Sequence, residues 1–368
     1  MTDWTGENLK LKLIGASHAD FVGAILSGIG KGEKIDVGTL NELVALRRPG
    51  DEAYSTGRKE RDDFVFESGV DADFVTTGDD IVVKIKNNDA NSSDYEKFSG
   101  IVRPSHADYA AYAKYGKNAD LRGGGIFSGR MTAPLCVAGG VALSILKRKN
   151  ISICAYLNSV GNIKFASYDD ENFVLPDKIA PFITATDLQK EQADKLFSAL
   201  KKEGDSVGGS IECVVAGVPA GLGDAQFGSI EGRFSSILFG IPAVKAVEFG
   251  LGKNFACALG SKVRDEFYYD GDKVKTLTNF NGGINGGITN GMPILFNCAI
   301  KPTPSIYKTQ NTVDFVNGKN TELQINGRHD PAIVRRVCHV INAVSTLCVC
   351  DTLAQRYGTD VFIKGINQ

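Results

Sequence analysis

The 368-residue chain holds only four histidines, His18, His106, His329 and His339. Two sit where an imidazole can move a proton near neutral pH. Gly15-Ala16-Ser17-His18 follows a strand-like run over residues 10–14. Arg103-Pro104-Ser105-His106-Ala107-Asp108 sets a histidine between an arginine and an aspartate. A histidine in a tight turn of small residues suits general acid–base work. The same turn also suits a structural, hydrogen-bonded ring, and residue types alone leave both readings open. His339 lies inside a long apolar helical pattern and reads as structural.

The arginines point to an anionic ligand. Arg47-Arg48-Pro49-Gly50, Arg58, Arg103, Arg122, Arg130 and Arg328 all lie in Gly-, Pro- or Ser-rich surroundings. A guanidinium fork held by rigid backbone binds carboxylate or phosphate bidentately. Local bracing of loops is the competing explanation for any one of them. The stretch 120–130, DLRGGGIFSGR, is a glycine-rich turn before a helix, where backbone N–H groups and the helix start receive anions. It is not a P-loop, since no G-x-x-x-x-G-K-S/T occurs, and no G-x-G-x-x-G follows a strand. A second glycine-rich loop covers 279–291. Asp330-Pro331 has the form of an N-cap with proline at the first helical position, and a capping carboxylate can still face a ligand.

These groups need a scaffold, and the pattern supplies one. Residues 10–14 and 81–85 read as strands, 131–148 as an Ala- and Leu-rich helix ending in basic residues, and 211–216 as a strand. Residues 186–203 read as an amphipathic helix, with Asp187 at its start, Leu188, Leu196, Phe197 and Leu200 on its apolar face, and Gly204 after its end. The stretch 231–250 reads as helical with Pro242 as a break or a start. Residues 331–357 read as a helix apolar on most sides, hence central to the core. Strands and helices mix without a βαβ rhythm, which predicts an α+β fold in one compact domain over 1–368.

Composition narrows the function. Lys+Arg 41 against Asp+Glu 43 gives a net charge of −2, which argues against nucleic acid or a membrane surface as partner. The charge-free apolar stretches 131–146 and 337–350 fall short of the ~18 residues of a membrane span. The 42 glycines imply many tight turns. The eight cysteines form no C-x-x-C and mostly sit in apolar runs, as expected of reduced, buried thiols in a cytoplasmic protein; no metal site is expected.

Taken in order, the motifs resemble the chorismate synthase family. They run Gly15-Ala16-Ser17-His18, Arg47-Arg48-Pro49-Gly50, Arg103-Pro104-Ser105-His106-Ala107-Asp108, Lys114-Tyr115-Gly116 and Arg122-Gly123-Gly124-Gly125. They continue through Lys202-Glu203-Gly204-Asp205-Ser206, 217–223 (GVPAGLG), 243–250 (AVKAVEFG), 282–287 (GGINGG), Lys301-Pro302-Thr303 and Gly327-Arg328-His329-Asp330-Pro331.

The resemblance implies a sandwich of helices between two antiparallel β-sheets, a homotetramer, and reduced FMN stacked on the substrate 5-enolpyruvylshikimate 3-phosphate. It implies a 1,4-elimination of phosphate that gives chorismate, with NADPH only as an indirect reductant. By the same resemblance His18 protonates the leaving phosphate, His106 protonates or stabilises the reduced flavin, and Asp330 helps the flavin take the substrate proton. Arg47, Arg48, Arg103, Arg130 and Arg328 hold the substrate. Ser128, Ala243, Gly286, Lys301, Thr303, Ser305 and Arg328 contact FMN, and Arg47 also matches a position linked to nicotinamide nucleotide.

The chain departs from the family pattern at Ala16, Ala19, Ala53, Ile126, Met131 and Pro242. These departures leave two other readings, a diverged non-catalytic flavin- or anion-binding paralogue and a flavin reductase.

Overall fold

The structure, a computed structural model, describes residues 2–48, 61–88, 100–119, 123–171, 173–176, 180–325 and 330–364. The first sheet contains β1 (Thr2–Thr5), β2 (Lys10–Gly15), β3 (Phe21–Ser27), β4 (Phe64–Ser68) and β5 (Ile81–Lys86) in the order β1-β2-β3-β5-β4, every pair antiparallel. Helix α1 (Val37–Arg47) lies between β3 and β4 in sequence. Alternation decides which face is covered: Val22, Ala24 and Leu26 on β3, and Ile81, Val83 and Ile85 on β5, are buried, as the two-residue side-chain period requires.

Helices α2 (Asp108–Tyr115) and α3 (Thr132–Arg148) follow, then β6 (Ser152–Val160), β7 (Ile163–Lys164), α4 (Asp187–Glu203), β8 (Gly209–Ala216), α5 (Ile230–Leu238) and β9 (Val244–Phe249). Two short hairpins come next, β10 (Phe267–Asp270) with β11 (Lys273–Thr276), and β12 (Ile284–Asn285) with β13 (Ile288–Thr289). Strand β14 (Ile294–Ile300) completes a second antiparallel sheet in the order β7-β6-β8-β14-β9. The hairpin of β15 (Gln310–Asp314) and β16 (Lys319–Leu323) precedes α6 (Val334–Tyr357) and the short α7 (Val361–Lys364).

Helix α3 packs on the first sheet and on α1, α6 packs on β6 and β8 of the second sheet, and α3 and α6 pack on each other. The result is the expected α+β sandwich, with helices between two antiparallel sheets. One hydrophobic cluster runs through it from Leu9 to Phe362. Glycine makes the central contact possible. A Cβ on Gly139 would fall 2.5 Å from the Cα, Cβ and backbone O of Ala343, and one on Gly140 would fall 2.9 Å from Leu40 Cγ. Two glycines in a helix interior cost roughly 1 kcal/mol each against alanine; here they let α3 approach α6 and α1. Thr346 Oγ1 also donates to Gly139 O at 2.9 Å.

The second sheet is apolar on its outer face as well, where Cys154, Tyr156, Val214 and Leu295 pack under Tyr168, Phe173, Leu175 and Ile183. Buried Glu212 ties that cover down by accepting from Ser167 Oγ and Tyr168 N, each at 2.8 Å, and from the Tyr156 hydroxyl.

Several expectations are corrected. The helix expected over 231–250 ends at Leu238, and the residues after Pro242 form β9. Thr186, not Asp187, caps α4: its hydroxyl accepts from Gln189 N while the Gln189 side chain accepts from Thr186 N, a capping box. Leu188 is exposed and leaves the apolar face of that helix. Helix α6 starts at Val334 with no side-chain cap; Asp330 accepts instead from Ala332 N at 3.1 Å. The helical stretches Gly129–Arg148 and Val334–Tyr357 are long and apolar enough to cross a membrane, and nearly every residue of each is buried inside the protein. Seven cysteines are buried, as expected, but Cys257 is exposed.

Candidate active site

Gly123 is the point where the first sheet and the His106 turn meet. Its φ is +61°, and a Cβ there would fall 2.3 Å from His18 Nε2. His18 therefore packs against a peptide that only glycine supplies easily. Ser17 N donates to Gly125 O at 3.3 Å, and Ala19 N to Ala16 O at 3.1 Å, closing the histidine's own turn. On the other side, Arg103 Nη2 donates to Gly123 O.

Arg103 also grips Asp108 bidentately, Nε to Oδ2 and Nη2 to Oδ1 at 2.7 Å each, and Asp108 Oδ1 lies 2.6 Å from His106 Nδ1. Burial alone would raise the Asp108 carboxyl. Hydrogen bonds from Arg103 and His106, with their coulombic pull, outweigh it and hold Asp108 well below the usual carboxylate range. An ionised carboxylate only accepts, so Nδ1 of His106 carries the hydrogen and Nε2 is left for a ligand.

The His106 turn reaches the end of the second sheet. Ser105, at φ +59°, offers its carbonyl to Lys301 Nζ at 2.6 Å. Lys301 N donates to Ala243 O at 3.0 Å, and Ala243 is itself at φ +76°. Burial, then the charge of Lys245, pushes the Lys301 amine down. Thr303 O accepts from Ser206 Oγ at 2.7 Å, and Val207 N donates to Pro331 O at 2.8 Å, which brings the 205–207 turn against Asp330. Ser305 is half-buried. Ser128 Oγ accepts from Arg130 N at 3.2 Å in the turn that leads into α3.

The arginines divide. Arg47 is not in a loop but in the last turn of α1, and only 3% exposed. Its Nη2 and Nε donate to Asp62 Oδ2 at 2.6 and 3.2 Å, and its Nη1 donates to Gly129 O and Thr132 Oγ1. Arg130 is 6% exposed and donates to Asp62 Oδ1, to Asn87 Oδ1 at 2.9 Å and to Lys86 O at 3.2 Å. Both guanidiniums expected on a ligand are thus turned onto the protein. Arg48, one residue past α1, has a buried Nε with no hydrogen-bond partner among the described residues. Arg58, Arg122, Arg328, His329 and Ala53 lie outside the described residues.

Gly286 stands apart. Its hairpin sits at the start of β14, whereas Lys301 follows the end of that strand, about 20 Å further at 3.4 Å per residue. His339 is 1% exposed, and burial followed by the Arg335 charge pushes it down to about 4, so it is a neutral core residue as expected.

The residues present fit a polar ligand such as a flavin phosphate or a phosphorylated acid. Besides Arg48 Nε, the Ser17 and Thr303 hydroxyls are buried with no partner among the described residues, and Gly129 is open on its Cβ side. Met131, a departure from the family pattern, is 4% exposed in the core, where its apolar side chain belongs. The sequence reading missed Asp62, Asn87 and Arg336. Asp62 and Asn87 carry no motif, and their partners are distant in the chain.

The comparisons with known proteins identify the family. The model of the family described as chorismate synthase matches residues 9–354. Chorismate synthase of Lancefieldella parvula is 37% identical over 369 residues, 96% of each chain. That of Thermococcus gammatolerans is 41% identical over 352 residues, 95% of this chain and 97% of its own. A crystal structure of chorismate synthase is similar with a TM-score of 0.75 at 26% identity, covering 96% of this chain and 94% of that one. Sequence match, fold and ordered motifs lead to one family, and this chain belongs to the chorismate synthases.

Proposed function

We propose that the chain eliminates phosphate from 5-enolpyruvylshikimate 3-phosphate to give chorismate, with reduced FMN bound, as a homotetramer. The C–O bond to the 3-phosphate breaks with its electron pair leaving on phosphate, the proton at carbon 6 is lost, and a double bond forms without net oxidation. Reduced flavin, when bound, would supply electron density to the allylic centre.

The chain's own residues bind the anions and handle the protons. His18, held against Gly123, donates the proton to the departing phosphate, whose charge favours the imidazolium. Arg48 brings an unspent donor to an anion, and Arg328 joins it by the family pattern. Arg103 and Asp108 fix the tautomer and orientation of His106 beside the flavin. Asp330 would help the bound flavin take up the proton lost from carbon 6. Ser128, Ala243, Lys301, Thr303 and Ser305 line the flavin side, and Gly286 joins them by the family pattern alone.

The observation that carries this reading is the convergence of His18 and the His106–Asp108–Arg103 set on the Gly123 peptide. The test is anaerobic release of phosphate from the substrate with dithionite-reduced FMN, followed beside chorismate absorbance. Both products appear catalytically, and His106→Ala slows turnover about 10²–10⁴-fold, the usual general acid–base contribution. Folded, FMN-bound protein that releases neither product refutes the reading.

A further inference from the structure

Asp62 belongs to none of the motifs, yet it is the most enclosed charge in the site. Its side chain is fully buried between Arg47 and Arg130, and its φ is +53°, a conformation unfavourable for a residue with a Cβ. Burial alone would raise its carboxyl; the charges of Arg47 and Arg130 outweigh that and hold it below the usual range.

One line of hydrogen bonds leaves the Arg130 guanidinium, and another starts at the main-chain carbonyl of Arg47. Arg130 Nε donates to Asn87 Oδ1 at 2.9 Å. The Asn87 Nδ2 group donates to Ala16 O at 3.0 Å and Ala19 O at 2.7 Å, the two carbonyls that flank Ser17-His18. In the other direction, Arg47 O accepts from Arg336 Nε at 2.9 Å, and Arg336 Nη1 lies 3.8 Å from Asp330 Oδ2. One carboxylate therefore stands between the turn of His18 and the carboxylate of Asp330, through the Arg130 and Asn87 side chains on one side and through the backbone of Arg47, at the end of α1, and the Arg336 side chain on the other.

We propose that Asp62 is a positioning residue that couples the His18 turn to Asp330 by holding Arg47 and Arg130 in one geometry. It touches no substrate. The inference rests on the roles given above to His18 and Asp330, but its first readout does not need them. An ion pair that merely stabilises the fold would loosen its surroundings evenly when broken. A coupling residue loosens two distant turns selectively.

The experiment is amide hydrogen exchange on the full chain without flavin or substrate, with kinetics beside it. Asp62→Asn keeps the shape and one acceptor and removes the charge. Expected is faster exchange at Ser17, Ala19 and Ala332 together, whereas Asn87→Ala accelerates only Ser17 and Ala19, and Arg336→Met only Ala332. In the anaerobic assay Asp62→Asn lowers kcat at least tenfold while KM stays within about twofold, since a small misplacement costs rate rather than binding. Unchanged exchange at both turns in folded Asp62→Asn protein overturns the coupling.

Should that variant fail to fold, Asn87→Ala and Arg336→Met carry the test. Ends joined through Asp62 make the double variant lose less than the product of the two single losses, and a loss equal to the product overturns the proposal. Wild-type protein that makes no chorismate, beside variants that show the exchange pattern, would refute the proposed function and leave the coupling standing.

Discussion

Gly123→Ala tests the centre of the site. The backbone at +61° costs an L-residue about 1–2 kcal/mol, so the protein loses that much stability and still folds. The added Cβ would stand 2.3 Å from His18 Nε2 and 2.7 Å from its Cδ2. Comfortable contact between such atoms needs ~3.5 Å, so one partner moves by roughly 1 Å or more. The Gly123 peptide is held through its carbonyl by Arg103, whereas the imidazole is the end of a rotatable side chain; the ring is what yields. Displacement of that size at a reacting group costs about 10²-fold in rate. Anaerobic turnover with reduced FMN, measured beside thermal melting, separates the two effects. Combining Gly123→Ala with His18→Ala should lose little more than His18→Ala alone, because both act on one ring. Turnover within twofold of wild type in the folded variant, or a double variant whose losses multiply, would refute the placement of His18 against Gly123.

Further expectations concern the core. His339, pushed down to about 4 from an ordinary value near 6.5, stays neutral in the fold while the unfolded chain takes up a proton, so stability falls as pH drops from 6.5 towards 4, by on the order of 3 kcal/mol from this residue. His339→Leu should flatten that decline in urea titrations across the interval; parallel curves for variant and wild type count against it. Gly139→Val drives a side chain into the Ala343 backbone and should cost about 3 kcal/mol or more by separating α3 from α6. Gly260→Ala, with nothing within 4 Å, should melt within a degree or so of wild type.

Much of the scaffold was legible because it rests on local rules. The helix ending at Arg148, the helix of 187–203 and the strands at 10, 81 and 211 follow from apolar period and end signals. The misreadings have physical causes. The T-x-x-Q capping box put the start of α4 at Thr186, one residue before the aspartate that looked stronger. After Leu238 the chain leaves the helix through Pro242 and Ala243, and a positive φ at alanine is invisible to propensity; it is imposed by the pairing of β9 with β14. Asp330 has the chemistry of a cap but spends it on Ala332 N, so α6 begins a turn later. The two histidine turns were legible because Arg103, His106 and Asp108 interact within six residues of chain. Asp62 was not, since it meets Arg47 across 15 residues and Arg130 across 68.

The arginines show why residue type alone could not finish the site. A guanidinium fork accepts a carboxylate from the protein as readily as one from a ligand, and flanking glycines accompany both uses. What separates them is burial. Arg47 and Arg48 are adjacent, yet Arg47 closes the last turn of α1 facing inward, while Arg48 leaves the helix in extended backbone at φ −62° and ψ 158°, so the two side chains diverge. Arg47 and Arg130 set the positions of α1, the glycine-rich turn and Asn87; Arg48 keeps a donor unspent. A family motif that reads as one anion-binding pair is thus a frame residue beside one with a buried donor left over, and the frame reaches the chemistry only through what it holds still.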